Sequence, residues 1–473
     1  MLEVIKQLNQ SVVNVLEDKL RWGSRLSLFL AVVLCSLGIM HFLMPADFPP
    51  QLYNVMLLVL LAVGFWITDA FPPFAVSMFV VAYSVYFLED FSLMSGVSHN
   101  WEMYADTWAS PVIWIMMGGF FISLGISLTG LDRRIASFSI KMFGTKPSIF
   151  LLGTMLLTVL FSVAISNTAT AALMIAVVTP LLVRLDKKEP FTRSLVLGVA
   201  FAASFGGLTT IPGSPVNALA ADMIHSQNQN ITYVEWLRAG MPLCLFFTAI
   251  AWLLLMWFFK PKIKEIPLLN DDEEDALPKR ISKKEWFVII VLLITVSLWL
   301  TSSTTGIPVA AVSFVPMMAL TISGIIKQQH IRLISWDTLL LVAGALTLGI
   351  AAQNTGLLNY AAGKLNLPDS RFMALLMMCY ITVLVSNFMS STAAASILIP
   401  LANTLIPGNV VLVSAATAMC CSMGILFPIS TPPNAIALST GYIKQKDFRI
   451  VGLFAVLAGP VIICYVLRWW IGV

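Results

Sequence analysis

The sequence predicts an all-α polytopic membrane protein with about eleven transmembrane helices and two opposed re-entrant hairpins arranged as an inverted repeat. Three observations predict it. Of the 473 residues, 58% are apolar and 11% charged, too few charges to cover a soluble surface. Apolar blocks recur near the ~20 residues that cross a ~30 Å hydrocarbon core as helix, with no alternating strand pattern. Small polar runs interrupt two of those blocks, Ser166-Asn167-Thr168 within 148–183 and Ser390-Ser391-Thr392 within 372–406.

In chain order, residues 1–52 form an amphipathic, charged N-terminal segment and a first crossing, Leu26 to Leu43. No small-residue cleavage site follows that crossing, so it reads as a retained helix. Lys19, Arg21 and Arg25 place the N-terminus in the cytoplasm. Residues 53–259 form the first repeat. Its crossings at Tyr53–Ala70, Pro73–Leu88 and Pro111–Leu131 flank a loop with Glu89, Asp90, Glu102 and Asp106 and no Lys or Arg, which agrees with an outside position. As one helix, the next apolar segment would be about 54 Å long. Basic residues flank it on both sides, including Lys146, Arg184, Lys187 and Lys188. It therefore enters from the cytoplasm and folds back, with Ser166-Asn167-Thr168 at its tip. The following crossing is broken at Gly206-Gly207 and Pro212-Gly213-Ser214-Pro215. Residues 260–285 read as a solvated cytoplasmic linker carrying Asp271-Asp272-Glu273-Glu274-Asp275.

Residues 286–473 repeat the plan, with the second hairpin entered from outside and a second break at Thr431-Pro432-Pro433-Asn434. Internal echoes support the duplication. Gly118 and Thr129-Gly130-Leu131 match Gly344 and Thr355-Gly356-Leu357, and Trp236 and Gly240 match Phe448 and Gly452.

Opposed hairpin tips and broken helices present exposed helix N-termini to anions and unwound carbonyls to cations, as secondary carriers do. The tip residues Ser166, Asn167, Thr168, Ser390, Ser391 and Thr392 add neutral oxygens and amides, and neither tip carries Lys, Arg or His. Scattered Ser and Thr in membrane helices usually serve packing, but two matched tips with two matched breaks form a site. Asp69 and Asp222, at crossing ends, read as solvated carboxylates, with a relay as the other reading. The six cysteines lie in apolar runs and read as buried small side chains with no disulfide framework. His41, His99, His225 and His330 form no ligand pair. The absence of a Gly-rich phosphate-binding loop argues against an ATP-driven pump, and the absence of paired mid-span aspartates against an intramembrane protease, so the chain reads as no enzyme. The net charge of +4 sits in loops and is no evidence for a nucleic-acid partner.

At these residues the chain resembles the divalent anion/sodium symporter (DASS) family, the INDY-type di- and tricarboxylate carriers. Ser166-Asn167-Thr168-Ala169-Thr170-Ala171-Ala172, the Gly206-Gly207 to Asn217-Ala218 break and Thr431-Pro432-Pro433-Asn434-Ala435-Ile436 carry the resemblance over essentially the whole chain. It implies a homodimeric elevator carrier of C4-type dicarboxylates (succinate, fumarate, malate, 2-oxoglutarate) in the inner (cytoplasmic) membrane, with no cofactor beyond sodium as coupling ion. By position, it implies a first sodium site at Ser162, Ser166, Asn167, Gly206 and Gly207. A second would use Ser386, Met389, Ser391 and Ser430. Substrate would meet Asn167, Thr168, Ser390, Ser391, Thr392, Thr431 and Pro432. The family's second signature reads Ser-Asn-Thr, whereas this chain has Ser390-Ser391-Thr392. The shorter side chain withdraws an oxygen from the second cation site, which points towards dicarboxylate exchange, with sodium-coupled symport as the alternative. From other classes, an anion channel and a non-transporting membrane scaffold remain as competing readings.

Overall fold

The computed structural model describes residues 26–43, 48–68, 70–88, 101–131, 134, 143–185, 189–229, 231–266, 281–364, 368–428 and 430–471. The N-terminal charged stretch, Asp69, the loop acids Glu89 and Asp90, His99, Lys187, Lys188 and the acidic run Asp271 to Asp275 lie outside the described residues.

Among the described residues the chain is helical throughout, without strands. The first half contains α1 (Leu26–Phe42), α2 (Tyr53–Thr68), α3 (Pro73–Leu88), α4 (Pro111–Thr129), α5 (Pro147–Ala164), α6 (Asn167–Arg184), α7 (Pro190–Gly206), α8 (Pro215–Ser226) and α9 (Tyr233–Phe258). The second contains α10 (Lys283–Leu300), α11 (Val309–Ile322), α12 (Trp336–Asn354), α13 (Leu357–Lys364), α14 (Arg371–Phe388), α15 (Ser391–Leu405), α16 (Val410–Ser422), α17 (Pro432–Ser439) and α18 (Arg449–Ile471). Among the described residues six helices, counting short flanking turns, are long and apolar enough to cross a membrane by themselves. Large apolar side chains such as Leu160, Trp257, Phe258, Leu453 and Trp469 stand on the outside. That surface suits lipid rather than water.

Proline starts many helices at the position where a missing N–H costs nothing: Pro111, Pro147, Pro190, Pro215 and Pro432 each open a helix. Gly130 (φ 74°) and Gly356 (φ 84°), matched in the sequence, end α4 and follow α12 in the left-handed conformation that glycine tolerates. The cysteine reading holds for five of the six. Cys35 is exposed on α1, because a residue in an apolar run can face lipid as readily as protein.

Two packed bodies result. In one, α3 packs along α12 and α11 along α4. Gly344 meets Ser77, and a Cβ added at Gly118 would lie 2.6 Å from the Ser313 Cβ and 2.9 Å from its carbonyl oxygen. Each half thus lends the other a serine-bearing helix, and backbones approach through glycine. In the other body the plan of the first half recurs in the second. α5 packs on α7 as α14 packs on α16, and α7 packs on α9 as α16 packs on α18. Gly240 meets the Leu208 carbonyl, and Gly452 lies against Leu426, so the Trp236/Phe448 echo marks equivalent contacts. The half-helix after each break crosses over: α8 lies on α15 and α16, and α17 lies on α6 and α7. The bodies meet mainly where α8 and α15 face α4, α12 and α13.

Candidate functional site

The chain between α5 and α6 is two residues long, Ile165 and Ser166, both in extended backbone. Ser166 caps α6: its Oγ accepts the Ala169 amide at 3.3 Å. Asn167 is the first helical residue, and its backbone N–H donates to the Gly213 carbonyl in the first break at 3.1 Å. Its side chain lies against Gly207, where an added Cβ would come within 3.2 Å of the Asn167 Nδ2. The Thr168 hydroxyl donates to Asn167 Oδ1 at 3.3 Å. One turn before the tip, the Ser162 hydroxyl donates to the Ala203 carbonyl at 2.8 Å, with Gly206 directly opposite. The residues expected at the first cation site therefore come together around the C-terminal end of α7.

The second tip is built the same way. Met389 is extended, Ser390 precedes α15 without a side-chain cap, and the Ser391 N–H donates to the Ser430 carbonyl at 3.0 Å. This bond is the counterpart of Asn167 to Gly213. Ser386 meets Gly424 as Ser162 meets Gly206. The Ser386 hydroxyl donates to Val383 and the Ser430 hydroxyl to Phe427, at 3.2 and 2.7 Å. Ser391, Thr392 and Thr431 are buried, whereas Pro432 is exposed. Four helices, α6, α8, α15 and α17, thus begin at the two tip-and-break junctions, and the positive dipole ends of their N-termini favour an anion.

Three asparagines that the sequence reading left out of the site organise it. Asn217 is fully buried, and its Nδ2 donates to the Gly207 and Thr210 carbonyls at 2.7 and 2.8 Å, closing the first break on itself. Asn434, its counterpart, makes one weaker bond, to Ile425 at 3.3 Å. The matched spacing Pro215-Val216-Asn217 and Pro432-Pro433-Asn434 is the signal that could have found them. Asn387 has no counterpart, since Val163 stands at the matching position. Its Oδ1 accepts the Leu426 amide at 2.8 Å and its Nδ2 donates to Val383 at 2.7 Å, tying the second hairpin to the second break. The first hairpin is tied instead by the Thr210 hydroxyl on the Val163 carbonyl at 3.3 Å. Among the described residues, Asn217 Oδ1, Asn434 Oδ1, Thr431 Oγ1 and Thr170 Oγ1 are buried without a hydrogen-bond partner. Buried oxygens without partners are costly, so a cation or polar ligand reaching them gains from each.

Asp222 is not the solvated carboxylate its helix-end position suggested. It is partly buried and accepts the Ser110 hydroxyl at 2.7 Å. It also lines a cavity of about 560 Å³ between α4, α8 and the start of α11.

A family profile described as the sodium:sulfate symporter transmembrane region matches residues 23–473. The chain belongs to the sodium:sulfate symporter family. This agrees with the resemblance to DASS carriers and makes the chain a multi-pass membrane transporter rather than an enzyme. Two relatives show the range of similarity. A sodium-dependent dicarboxylate transporter, SdcS, of Staphylococcus saprophyticus is 25% identical over 94% of this chain and 91% of its own length. An uncharacterized transporter of Schizosaccharomyces pombe is 27% identical over 87% of this chain. This symporter-family chain spans about half the length of the yeast relative, 49%. In fold, the chain is similar to the YdaH transporter of Alcanivorax borkumensis, described as having an unusual topology. The TM-score is 0.51 at 15% identity, covering 88% of this chain and 98% of that one.

Proposed function

We propose that this symporter-family chain is a secondary active carrier of C4-type dicarboxylates such as succinate, fumarate, malate and 2-oxoglutarate, and that it works chiefly by exchange. The observation that carries this reading is the duplicated junction in which the Asn167 and Ser391 amides pin their tips to the Gly213 and Ser430 carbonyls. Each junction brings two helix N-termini and neutral hydroxyls together without a fixed cationic side chain. Such a site holds a carboxylate by dipoles and hydrogen bonds and releases it more readily than a buried ion pair would. The name of the staphylococcal relative supports dicarboxylate as the substrate class and sodium as a coupling ion.

In this reading Asn167, Thr168, Ser390, Ser391, Thr392, Thr431 and Pro432 meet the substrate. Ser162, Ser166, Asn167, Gly206 and Gly207 hold one sodium ion, and Ser386, Met389, Ser391 and Ser430 hold a second only weakly. The body containing the hairpins moves as an elevator past the body built on α3, α4, α11 and α12. The protein acts as a homodimer in the inner membrane with its N-terminus in the cytoplasm. Residues 53–259 and 286–473 are the two inverted repeats, joined by the 260–285 linker.

Exchange follows from Ser391. A hard cation favours about six or more oxygens, and serine offers a shorter reach than the asparagine the family places there. Proteoliposomes preloaded with dicarboxylate should take up labelled succinate without sodium, and empty vesicles under an inward sodium gradient should take up little. Strong sodium-driven uptake into empty vesicles overturns exchange in favour of symport. No uptake in either case removes the carrier reading. A single cysteine replacing Lys187 should label only from the cytoplasm and one replacing Asp369 only from outside; labelling of both from one side rejects the inverted orientation.

A further inference from the structure

At the end of the bundle where α14 and α16 begin and α15 and α18 end, a cavity of about 290 Å³ opens. Two guanidinium groups line it, Arg371 from the first residue of α14 and Arg468 from the last turn of α18. Arg371 lies against Gly408, whose φ of 114° turns the chain between α15 and α16 without a side chain in the way. Arg468 sits 5.2 Å from the centre of the Phe372 ring, which in turn packs on Tyr465 at 5.1 Å. The floor is apolar, formed by Leu375, Ile406 and Val413. Asp369, two residues before Arg371, is exposed and is not among the residues that line the cavity.

Both arginines stand at the far end of α18 from Arg449 and the loop lysines Lys444 and Lys446, away from the basic loop that sets orientation. Arg468 lies within two residues of the end of an apolar span, Gln445–Trp470, long enough to cross a membrane, and headgroups lie at such ends. Tyr465 and Trp469, 58% and 85% exposed, lie on the outside of α18 beside Arg468, as aromatic residues do at the membrane interface. A guanidinium offers a planar fork of donors that matches phosphate oxygens, and two forks over an apolar floor suit a charged head joined to an apolar body. The Ser370 side chain does not cap α14, which leaves first-turn N–H groups to a further acceptor.

We propose that Arg371 and Arg468 form a phosphate-binding site, filled by the headgroup of an anionic phospholipid. The lipid bridges the mouth of the second hairpin to α18 and braces the body that carries the tips. The site is separate from the dicarboxylate site and does not depend on which anion is carried.

The test uses the purified full chain in detergent, with phosphatidylglycerol, phosphatidylcholine or inorganic phosphate added at matched concentration. Thermal unfolding and native mass spectrometry are the readouts. Phosphatidylglycerol should raise the unfolding temperature by a few degrees and remain bound. R371Q and R468Q should each reduce that shift, and the double variant should abolish it and lose one bound lipid. R371K, which keeps the charge but not the fork, should retain part of the shift. Protection by inorganic phosphate equal to that by phosphatidylglycerol would overturn the lipid as the source. Equal protection by phosphatidylcholine, or a lipid shift and lipid count unaltered in the double variant, would overturn the site. Should the double variant fold poorly, the lipid count on each single variant decides on the same terms.

Discussion

The Ser110 hydroxyl donates to Asp222 at 2.7 Å, and this one bond joins the N-terminal cap of α4 in one body to α8 in the other. Asp222 also faces a second cavity, of about 130 Å³, between α8, α12 and α15. If the hairpin body slides past its neighbour, the bond must break in each cycle. A hydrogen bond to a charged group contributes about 1.5–3 kcal/mol, and about 1.4 kcal/mol changes a rate tenfold. Ser110→Ala should therefore change turnover by about ten- to a hundredfold while shifting the half-saturating substrate concentration less than about twofold. Asp222→Asn, which keeps an acceptor oxygen, should stay nearer the unmodified rate. Exchange kinetics in proteoliposomes measure both quantities. Unchanged turnover in Ser110→Ala would show that this contact does not cross a moving seam.

Alanine at Asn167 keeps the backbone N–H that reaches Gly213 and removes only the amide lying against Gly207. Asn167→Ala should thus lose dicarboxylate transport while the unfolding temperature stays close to that of the unmodified protein. Thr168, half-buried at the tip, should behave the same way as Thr168→Ala. Uptake at the unmodified rate in both variants rejects their place in the site.

The two breaks should differ in how much they rely on their asparagine. Asn217→Ala takes the donor from the Gly207 carbonyl and leaves the Thr210 carbonyl with the Gly213 amide alone, at 3.2 Å, at a cost of about 1–3 kcal/mol for the buried group left unpaired. Asn434→Ala gives up one bond of 3.3 Å. Thermal unfolding in detergent should show Asn217→Ala to be the more destabilised of the two. An equal or reversed order contradicts this asymmetry.

Glycine substitutions separate close packing from mere presence in a helix. Gly344→Ala would drive a methyl group into the Ser77 backbone and Gly118→Ala into Ser313, whereas Gly363 in α13 has nothing within 4 Å. The first two should lower stability by at least about 1–3 kcal/mol, as overpacking does. Gly363→Ala should be neutral or slightly stabilising. Size-exclusion profiles and unfolding temperatures of the three variants decide it. A well-behaved Gly344→Ala protein would refute the close approach.

The tips were legible in the sequence because Ser166-Asn167-Thr168 and Ser390-Ser391-Thr392 interrupt long apolar segments, a contrast that composition alone exposes. Helix starts at Pro73 and Pro111 were legible for a similarly local reason. Asn387 was not. Inside an apolar helix an asparagine looks like packing glue, and its role depends on Leu426 arriving from the second break. The same holds for Asp222, whose partner lies 112 residues earlier. The exchange of α8 and α17 between hairpins leaves no mark on either segment, because packing partners across a repeat are set by three-dimensional fit rather than by periodicity. Pro72-Pro73-Phe74-Ala75-Val76-Ser77 and Pro308-Val309-Ala310-Ala311-Val312-Ser313 are also alike, but the likeness gains meaning only once both serines are found against glycines.

The contact between α3 and α12 also bears on how the chain is made. The Ser77 hydroxyl donates to the Leu341 carbonyl, across 264 residues of sequence. A ribosome at about 5–20 residues per second needs about 13–50 s to cover that distance. Through that interval α3 sits in the bilayer with its small-residue face against lipid, so the first half is held unfinished until its complement is inserted. A chain cut in the 260–285 linker should accordingly give two fragments that are degraded when expressed singly and are rescued when co-expressed.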